Sequence, residues 1–260
     1  MRPYGAVTRP RLLLIPSLTE LEWAIKPELE SWADVASFDV PGVGEEPRAE
    51  TFGREAVVQR TLTELERRGW ESCLICCDSF GIPTGVEVAA AWPGEVAGMA
   101  IGHARLSTRT EGDRPPVSKG VLEAMLQLLR NDDTGIVRHG LAQFTHGSMG
   151  DELTQRWIER VPLDLAQKGL EQVIAEPEPI ELPLRELGVP LLLVKHEDCL
   201  GVTEEGWEDA VAAFPEARTL SVREAPTVSA DFAEALRSFS LETTGRRTGR
   251  SGLSRNRHQG

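Results

Sequence analysis

The sequence contains no apolar run approaching the ~20 residues that a membrane-spanning helix needs. Its first residues include no long apolar stretch ending in a small-residue cleavage site, so we expect no secretory signal and no membrane partner. Apolar residues make up 40% and charged residues 27% of the 260 residues, which is typical of a globular protein in water. A chain of this length can fold as one large domain, with or without an inserted subdomain.

Basic residues are also scarce, with 28 against 41 acidic residues and a formal net charge of −13. Residues 243–260 hold five arginines and no acid, so the rest of the chain is more acidic still. An acidic body argues against a nucleic-acid partner, because phosphate binding requires a basic face. The Gly, Ser, Thr and Arg content of residues 243–260 predicts a disordered, solvated tail.

Cysteine is limited to four residues, of which Cys73, Cys76 and Cys77 lie in one apolar run and Cys199 stands apart. No second C-x-x-C pair or neighbouring histidine completes a metal site. Buried, reduced thiols are the better interpretation, and they favour a reducing, cytoplasmic setting. A glycine motif of the phosphate-binding type is missing too, so we expect neither a metal nor a cofactor.

Short apolar runs alternate with helical patterns along most of the chain, which is typical of a parallel α/β sheet with helices on both faces. Most runs are almost continuously apolar, as strands buried on both faces should be. The predicted strands are Leu12–Pro16, Val35–Asp39, Cys73–Cys77, Val96–Gly102, Pro190–Lys195 and Ala217–Val222. The predicted helices of this core are Leu21–Trp32, Phe52–Arg68, Ile82–Ala91, Glu204–Phe214 and Ala230–Phe239.

The segment 107–187 interrupts this alternation and has no strand pattern. It ends in an acidic, proline-rich linker, and its predicted helices are Lys119–Arg130, Ile136–Thr145, Asp151–Arg160 and Leu163–Ile174. A helical insertion between two strands forms a cap, a common place for substrate selection. The sequence therefore predicts an α/β core over 1–106 and 188–242, an all-helical cap over 107–187 and a tail over 243–260.

The residues around Ser79 predict a nucleophile elbow. A buried strand runs into the sequence Cys-Asp-Ser-Phe-Gly, and a helix follows. Small neighbours are needed because the backbone of the nucleophile is strained and the turn is crowded. Such a turn places Ser79 at the carboxyl end of the sheet and directs the N–H of Phe80 toward an oxyanion.

Residues 11–240 resemble the α/β-hydrolase superfamily. Ser79 matches the nucleophile of the family, and Asp198 in PLLLVKHEDCLGV matches its catalytic acid, although a turn or helix-cap role for Asp198 stays open. VASFDVPGVGEEP is similar to the D-x-P-G-x-G segment of the family, in which Asp39 is better explained as a turn residue than as an acid. The hairpin that precedes the first parallel strand in the family has no counterpart here, so the resemblance implies about six strands.

The oxyanion loop of the family also has a counterpart, in RLLLIPSLTELEW. Trp23 matches the tryptophan that follows this loop. Pro16 and Ser17 replace the usual His-Gly, so the resemblance implies that the second oxyanion N–H comes from about Leu18.

The catalytic histidine of the family is missing, because the region after the last strand contains no histidine. Without an adjacent base, a serine hydroxyl is a poor nucleophile. His103 and His196 lie at predicted strand ends and are candidates for a relocated base, and His146 of the cap is a candidate substrate donor. Arg105, near the pocket mouth, is a candidate for binding an acidic substrate. Each of these four also has an ordinary structural interpretation, as a rim, surface or helix-end residue.

Three functions remain open. The first is an atypical serine hydrolase acting on a small-molecule ester, thioester or other activated carbonyl. The second is a non-hydrolytic enzyme of bacterial small-molecule biosynthesis, in which the same groups guide cyclisation, elimination or proton transfer. The third is a non-catalytic ligand-binding protein, since a fold does not fix a function. The oligomeric state is not determined by the sequence, and a homodimer stays open.

Overall fold

The computed structural model describes residues 9–17, 23–102, 119–131, 151–175, 181–197 and 203–251. Its strands are β1 (Arg11–Ile15), β2 (Asp34–Ala36), β3 (Ser72–Asp78), β4 (Glu95–Gly102), β5 (Leu191–His196) and β6 (Arg218–Val222). They form one parallel sheet in the order β2-β1-β3-β4-β5-β6. The predicted α/β class and the predicted number of strands are confirmed.

The described helices cover both faces of the sheet. Before β5 they are α1 (Lys26–Glu30), α2 (Arg54–Arg68), α3 (Ile82–Ala91), α4 (Lys119–Leu129), α5 (Asp151–Arg160), α6 (Leu163–Ala175) and α7 (Glu181–Leu187). After β5 they are α8 (Glu204–Ala213) and α9 (Ala230–Ser251). The predicted helix Ile136–Thr145 lies outside the described residues.

Two helices differ from the sequence-based expectation. Helix α1 begins at Lys26, although a helix was predicted from Leu21, and Pro27 explains this start because proline is accommodated only in the first turn. Helix α7 lies where a linker was predicted. Its Leu184 is buried in the core, and this burial stabilises a helix that the acidic, proline-containing sequence does not predict.

The sheet separates two apolar layers, because successive residues of a strand point to opposite faces. Leu13 of β1 packs in the layer that contains Val57 of α2. Leu12 packs in the opposite layer, which contains Phe232 of α9. The first layer continues into the described part of the predicted cap through Leu165 of α6, so these helices share the core of the sheet.

The C-terminal helix also extends beyond its predicted end. A disordered tail was expected from Thr243, whereas α9 continues to Ser251. Thr243 is buried, and its hydroxyl donates to the backbone carbonyls of Phe239 and Ser240 at 3.1 Å each. This residue therefore belongs to the packed helix, and residues from 252 onward lie outside the described part of the chain.

The turn after β2 joins the sheet to the predicted cap through a partly buried ion pair. Nη2 of Arg160, at the end of α5, lies 2.9 Å from Oδ2 of Asp39, whose side chain is 9% exposed. Gly44 has a φ of +59°, and a Cβ there would lie 2.0 Å from the same carboxylate oxygen. A residue with a side chain at this position would displace the ion pair, so glycine is required.

This ion pair gives a stability prediction. Asp39→Ala should lower the free energy of unfolding by about 2–3 kcal/mol, because it leaves a partly buried guanidinium without its carboxylate. Arg48→Gln is the matched control, since the Arg48–Asp164 ion pair joins the same two regions but is exposed. Urea unfolding of the two variants checks this. Equal losses in both would show that burial does not distinguish the two pairs.

Glu64 of α2 is the centre of a second charge cluster. Its carboxylate accepts hydrogen bonds from Arg60, Arg67 and Arg68. These contacts, that of Arg67 foremost, lower the pKa of Glu64 from 4.5 to about 2 against the opposing effect of burial. The cluster binds α2 to the sheet because Arg68 also contacts Asp34 of β2.

The lowered pKa of Glu64 predicts a dependence of stability on pH. A carboxylate whose pKa is lowered in the folded state stabilises the fold above pH 4.5. This contribution is lost as the pH falls toward 2. Glu64→Gln should therefore lower the free energy of unfolding by about 2 kcal/mol at neutral pH and flatten its decline below pH 5. Urea unfolding between pH 6 and 3 measures the slope. The exposed Glu66 on the same helix supplies the control Glu66→Gln, and equal slopes in both variants would contradict the prediction.

Candidate active site

Ser79 lies at a sharp turn between the end of a buried strand and the start of a helix. Strand β3 ends at Asp78 in an extended conformation, a 3₁₀ turn covers Ser79–Gly81, and α3 begins at Ile82. The φ angle of Ser79 is +47°, and no other non-glycine residue that the structure describes has a positive φ. The side chain of Ser79 is partly exposed, whereas the strand before it is buried.

Small residues around the turn allow this geometry. A Cβ on Gly81 would lie 3.3 Å from the carbonyl oxygen of Pro16 and 3.4 Å from that of Ile15, at the end of β1. A Cβ on Gly85 would lie 3.0 Å from Sγ of Cys77, so glycine also allows α3 to approach β3. Pro83 stands in the first turn of α3, where the N–H that it lacks is not required.

The predicted oxyanion elements are described in part. Ser17 is buried and directly follows Pro16, whose carbonyl lies next to Gly81. The backbone of Phe80 lies in the 3₁₀ turn, where the first N–H groups of a helix have no acceptor within the helix. Leu18 lies outside the described residues, as do four other predicted site residues: His103, Arg105, His146 and Asp198.

His196 is the one predicted histidine base within the described residues. It is the last residue of β5, it is buried, and its Nε2 donates to the backbone carbonyl of Arg223 at 2.8 Å. A carbonyl only accepts, so Nε2 carries a proton in this contact. The imidazole therefore joins the end of β5 to the loop that follows β6. Its role as a base stays a prediction.

That loop, residues 223–229, occupies the part of the fold where the α/β-hydrolase resemblance places a histidine. It packs onto the sheet through buried Ala225, Pro226 and Thr227. The carbonyl of Thr227 accepts a hydrogen bond from the N–H of Ile25 at 3.1 Å. Ser229 begins α9 by accepting from the N–H of Phe232. The loop therefore packs against the fold through these buried residues, and it contains no histidine.

Asp78 is the last residue of β3 and directly precedes Ser79. It is 2% exposed, and a Cβ on Gly102 of β4 would lie 2.2 Å from its Oδ1. The carboxylate therefore lies over Gly102, which pairs directly with Asp78 in the sheet. The sequence carried one indication of this packing, a glycine at the end of an otherwise apolar strand.

The neighbouring thiols are poor nucleophiles. Cys73, Cys76 and Cys77 are buried and free, as predicted, and Cys199 lies outside the described residues. Burial raises the pKa of Cys73 to about 12 and the pKa of Cys77 well above its usual value, with the charge of Asp78 adding to the latter. A protonated thiol does not attack carbonyl carbon at neutral pH. The hydroxyl of Ser79, by contrast, is partly exposed at this turn.

Neither a metal-binding cluster nor a membrane-spanning helix is found within the described ranges. There, no group of three or more His, Cys, Asp and Glu side chains is arranged to hold a metal ion. No described helix is both long enough and apolar enough to cross a membrane.

Comparisons with known proteins identify the fold. No protein-family model and no curated protein matches the sequence. A hydrolase from Oleispira antarctica superposes with a TM-score of 0.74 at 14% identity, over 91% of this chain and 92% of that one. An α/β-hydrolase enzyme from a Medee basin deep-sea metagenome library gives 0.67 at 14% identity, over 93% and 90%. The enol-lactonase from Burkholderia xenovorans LB400 gives 0.67 at 17% identity, over 94% of each chain. The chain has the α/β-hydrolase fold.

Proposed function

We propose that this chain is an enzyme that uses Ser79 to attack the ester, thioester or other activated carbonyl of a small molecule. The observation that carries the proposal is the positive φ of Ser79 at the turn from β3 to α3. A non-glycine residue in this conformation costs about 1–3 kcal/mol, so it persists only where its surroundings enforce it. Strained residues of this kind cluster at active sites.

The proposed reaction is acyl transfer to Ser79. Its Oγ forms a bond to the carbonyl carbon while a base takes the hydroxyl proton, and the carbonyl oxygen becomes an oxyanion held by the N–H groups of Phe80 and Leu18. Collapse breaks the bond to the leaving alcohol or thiol, which receives that proton. Water then releases the acid from the acyl-enzyme, and Asp198 supports the base throughout.

His103 is the preferred base in this proposal. Gly102, which precedes it, pairs with Asp78, which precedes Ser79. The alternative base, His196, already uses Nε2 for its hydrogen bond to Arg223. His146 and Arg105 are proposed as substrate contacts, and residues 107–187 as the cap that selects the substrate.

Features outside the site support the same proposal. The similar structures include a hydrolase and an enol-lactonase. The buried thiols suit a reducing cytoplasm, and the acidic charge suits a small-molecule substrate better than nucleic acid. We propose cytoplasmic localisation on these grounds.

A second candidate is a non-hydrolytic enzyme on the same scaffold. The observation that favours it is the loop 223–229, in which Ala225 and Pro226 are buried and which contains no histidine. A site with oxyanion donors but a weak nucleophile still orients and polarises a substrate for cyclisation, elimination or proton transfer.

Reaction with a fluorophosphonate, followed by intact-protein mass, separates the two candidates. The serine-nucleophile proposal expects one adduct on the wild-type protein, none on Ser79→Ala, and an unchanged adduct on Ser72→Ala. Ser72 is a matched control because it lies on β3 at the opposite end from Ser79. His103→Ala and His196→Ala then identify the base. A folded wild-type protein without an adduct would exclude an activated Ser79 and favour the second candidate.

A further inference from the structure

The carboxylate of Asp78 lies on the face of the sheet where the histidine of an α/β hydrolase would be expected. Cys76 and Asp78 point to one side of β3 because residues two apart share a face. Cys76 belongs to the apolar layer that contains Val222 of β6 and Phe232 of α9. Asp78 is therefore directed toward the layer beneath the loop 223–229, away from the side of α3.

Because Gly102 has no side chain, the carboxylate of Asp78 can occupy the space next to it. The point where a Gly102 side chain would begin lies 2.2 Å from Oδ1 of Asp78 and 2.8 Å from Cγ of Pro226. Asp78, Gly102 and Pro226 thus meet at one place, where the ends of β3 and β4 and the loop after β6 converge. Any side chain at position 102 would have to move the carboxylate or the proline.

As a result, packing contacts restrain the backbone on both the N-terminal and the C-terminal side of Ser79. On its N-terminal side, Asp78 is packed between Gly102 and Pro226. On its C-terminal side, Gly81 lies against the carbonyl oxygens of Ile15 and Pro16. A strained residue persists only when its surroundings determine its conformation, and these two contacts supply that restraint.

We propose that Asp78 is a positioning residue that holds the Ser79 hydroxyl in its reactive orientation by joining β3 to β4 and to the loop 223–229. The inference rests on the proposed role of Ser79 as a nucleophile. Because Asp78 is buried, this proposal has it act through Ser79, on the rate of bond formation and not on substrate binding.

The test compares three variants by the kinetics of fluorophosphonate labelling. Asp78→Asn keeps the volume of the side chain but replaces one acceptor oxygen with a donor. Gly102→Ala keeps Asp78 but places a Cβ where its carboxylate lies. Gly98→Ala is the matched control, because it adds the same methyl group on the same face of β4 but against Leu74 and Phe239.

Asp78→Asn and Gly102→Ala should lower the maximal labelling rate about 10- to 100-fold while the concentration for half-maximal rate stays the same. Gly98→Ala should lower the melting temperature without changing either kinetic constant. A purely structural role for Asp78 would leave the labelling rate of the folded Asp78→Asn protein at the wild-type value, and that result overturns the inference alone. A wild-type protein that is folded but unlabelled overturns both this inference and the proposed function.

Discussion

Ser79→Ala is expected to reduce turnover of an activated ester such as p-nitrophenyl acetate by about 10³-fold or more, because the acyl-enzyme can no longer form. Removal of the hydroxyl leaves the oxyanion donors and the binding surface intact, so a small residual rate above that of water is expected. Initial rates with the purified protein measure this, with Ser72→Ala as the control. Unchanged turnover in Ser79→Ala would show that the hydrolysis occurs elsewhere on the protein.

The strained backbone at Ser79 also predicts a difference in stability between two substitutions at this position. A side chain at φ +47° carries a backbone cost that glycine does not share. Ser79→Gly should therefore be more stable than Ser79→Ala by about 1 kcal/mol while being just as inactive. Urea unfolding of the two variants gives this difference. A Ser79→Gly protein that is less stable than Ser79→Ala would mean that the turn is not strained.

Phe232→Ala should cause the largest loss of stability among the substitutions considered, about 3–5 kcal/mol. Phe232 is 0% exposed, and its ring lies 6.0 Å from that of Trp23, centroid to centroid, in the layer between the sheet and α9. The truncation removes apolar burial and leaves a cavity that close-packed neighbours cannot fill. Urea unfolding measures the loss.

Leu241→Ala is the control for this truncation. Leu241 lies on the same helix but is 63% exposed, so its loss should change the free energy of unfolding by less than about 0.5 kcal/mol. Similar losses in the two variants would contradict the position of α9 against the sheet. The labelling rate of Ser79 in folded Phe232→Ala reports whether this layer also supports the proposed active site.

The sheet could be predicted from the sequence because its determinants are local. The almost continuously apolar runs of β3, β4 and β5 are typical of strands in a sheet that is covered on both faces. Their predicted bounds agree with the observed strands to within one residue at each end. The elbow was also predictable, since a buried strand, Ser79, Gly81 and a helix follow one another directly in the chain.

Elements stabilised by distant residues were harder to predict. Helix α7 forms in an acidic, proline-containing stretch because Leu184 is buried against the core. Thr243 was assigned to a disordered tail from composition, yet its burial on α9 keeps it in the helix. In both cases tertiary packing outweighed local propensity, which is a weak determinant of structure.

The sequence by itself determined the class of the fold and the position of the turn that carries Ser79. The surroundings of that turn were decided only by the tertiary structure. The pairing of β3 with β4 places Gly102 beneath the carboxylate of Asp78, and the loop after β6 brings Pro226 against it. Likewise, Asp39 meets Arg160 and His196 meets the carbonyl of Arg223 only in the folded chain. Periodicity and spacing report which residues are neighbours along a helix or strand, whereas these contacts join residues that come together only when the sheet is complete.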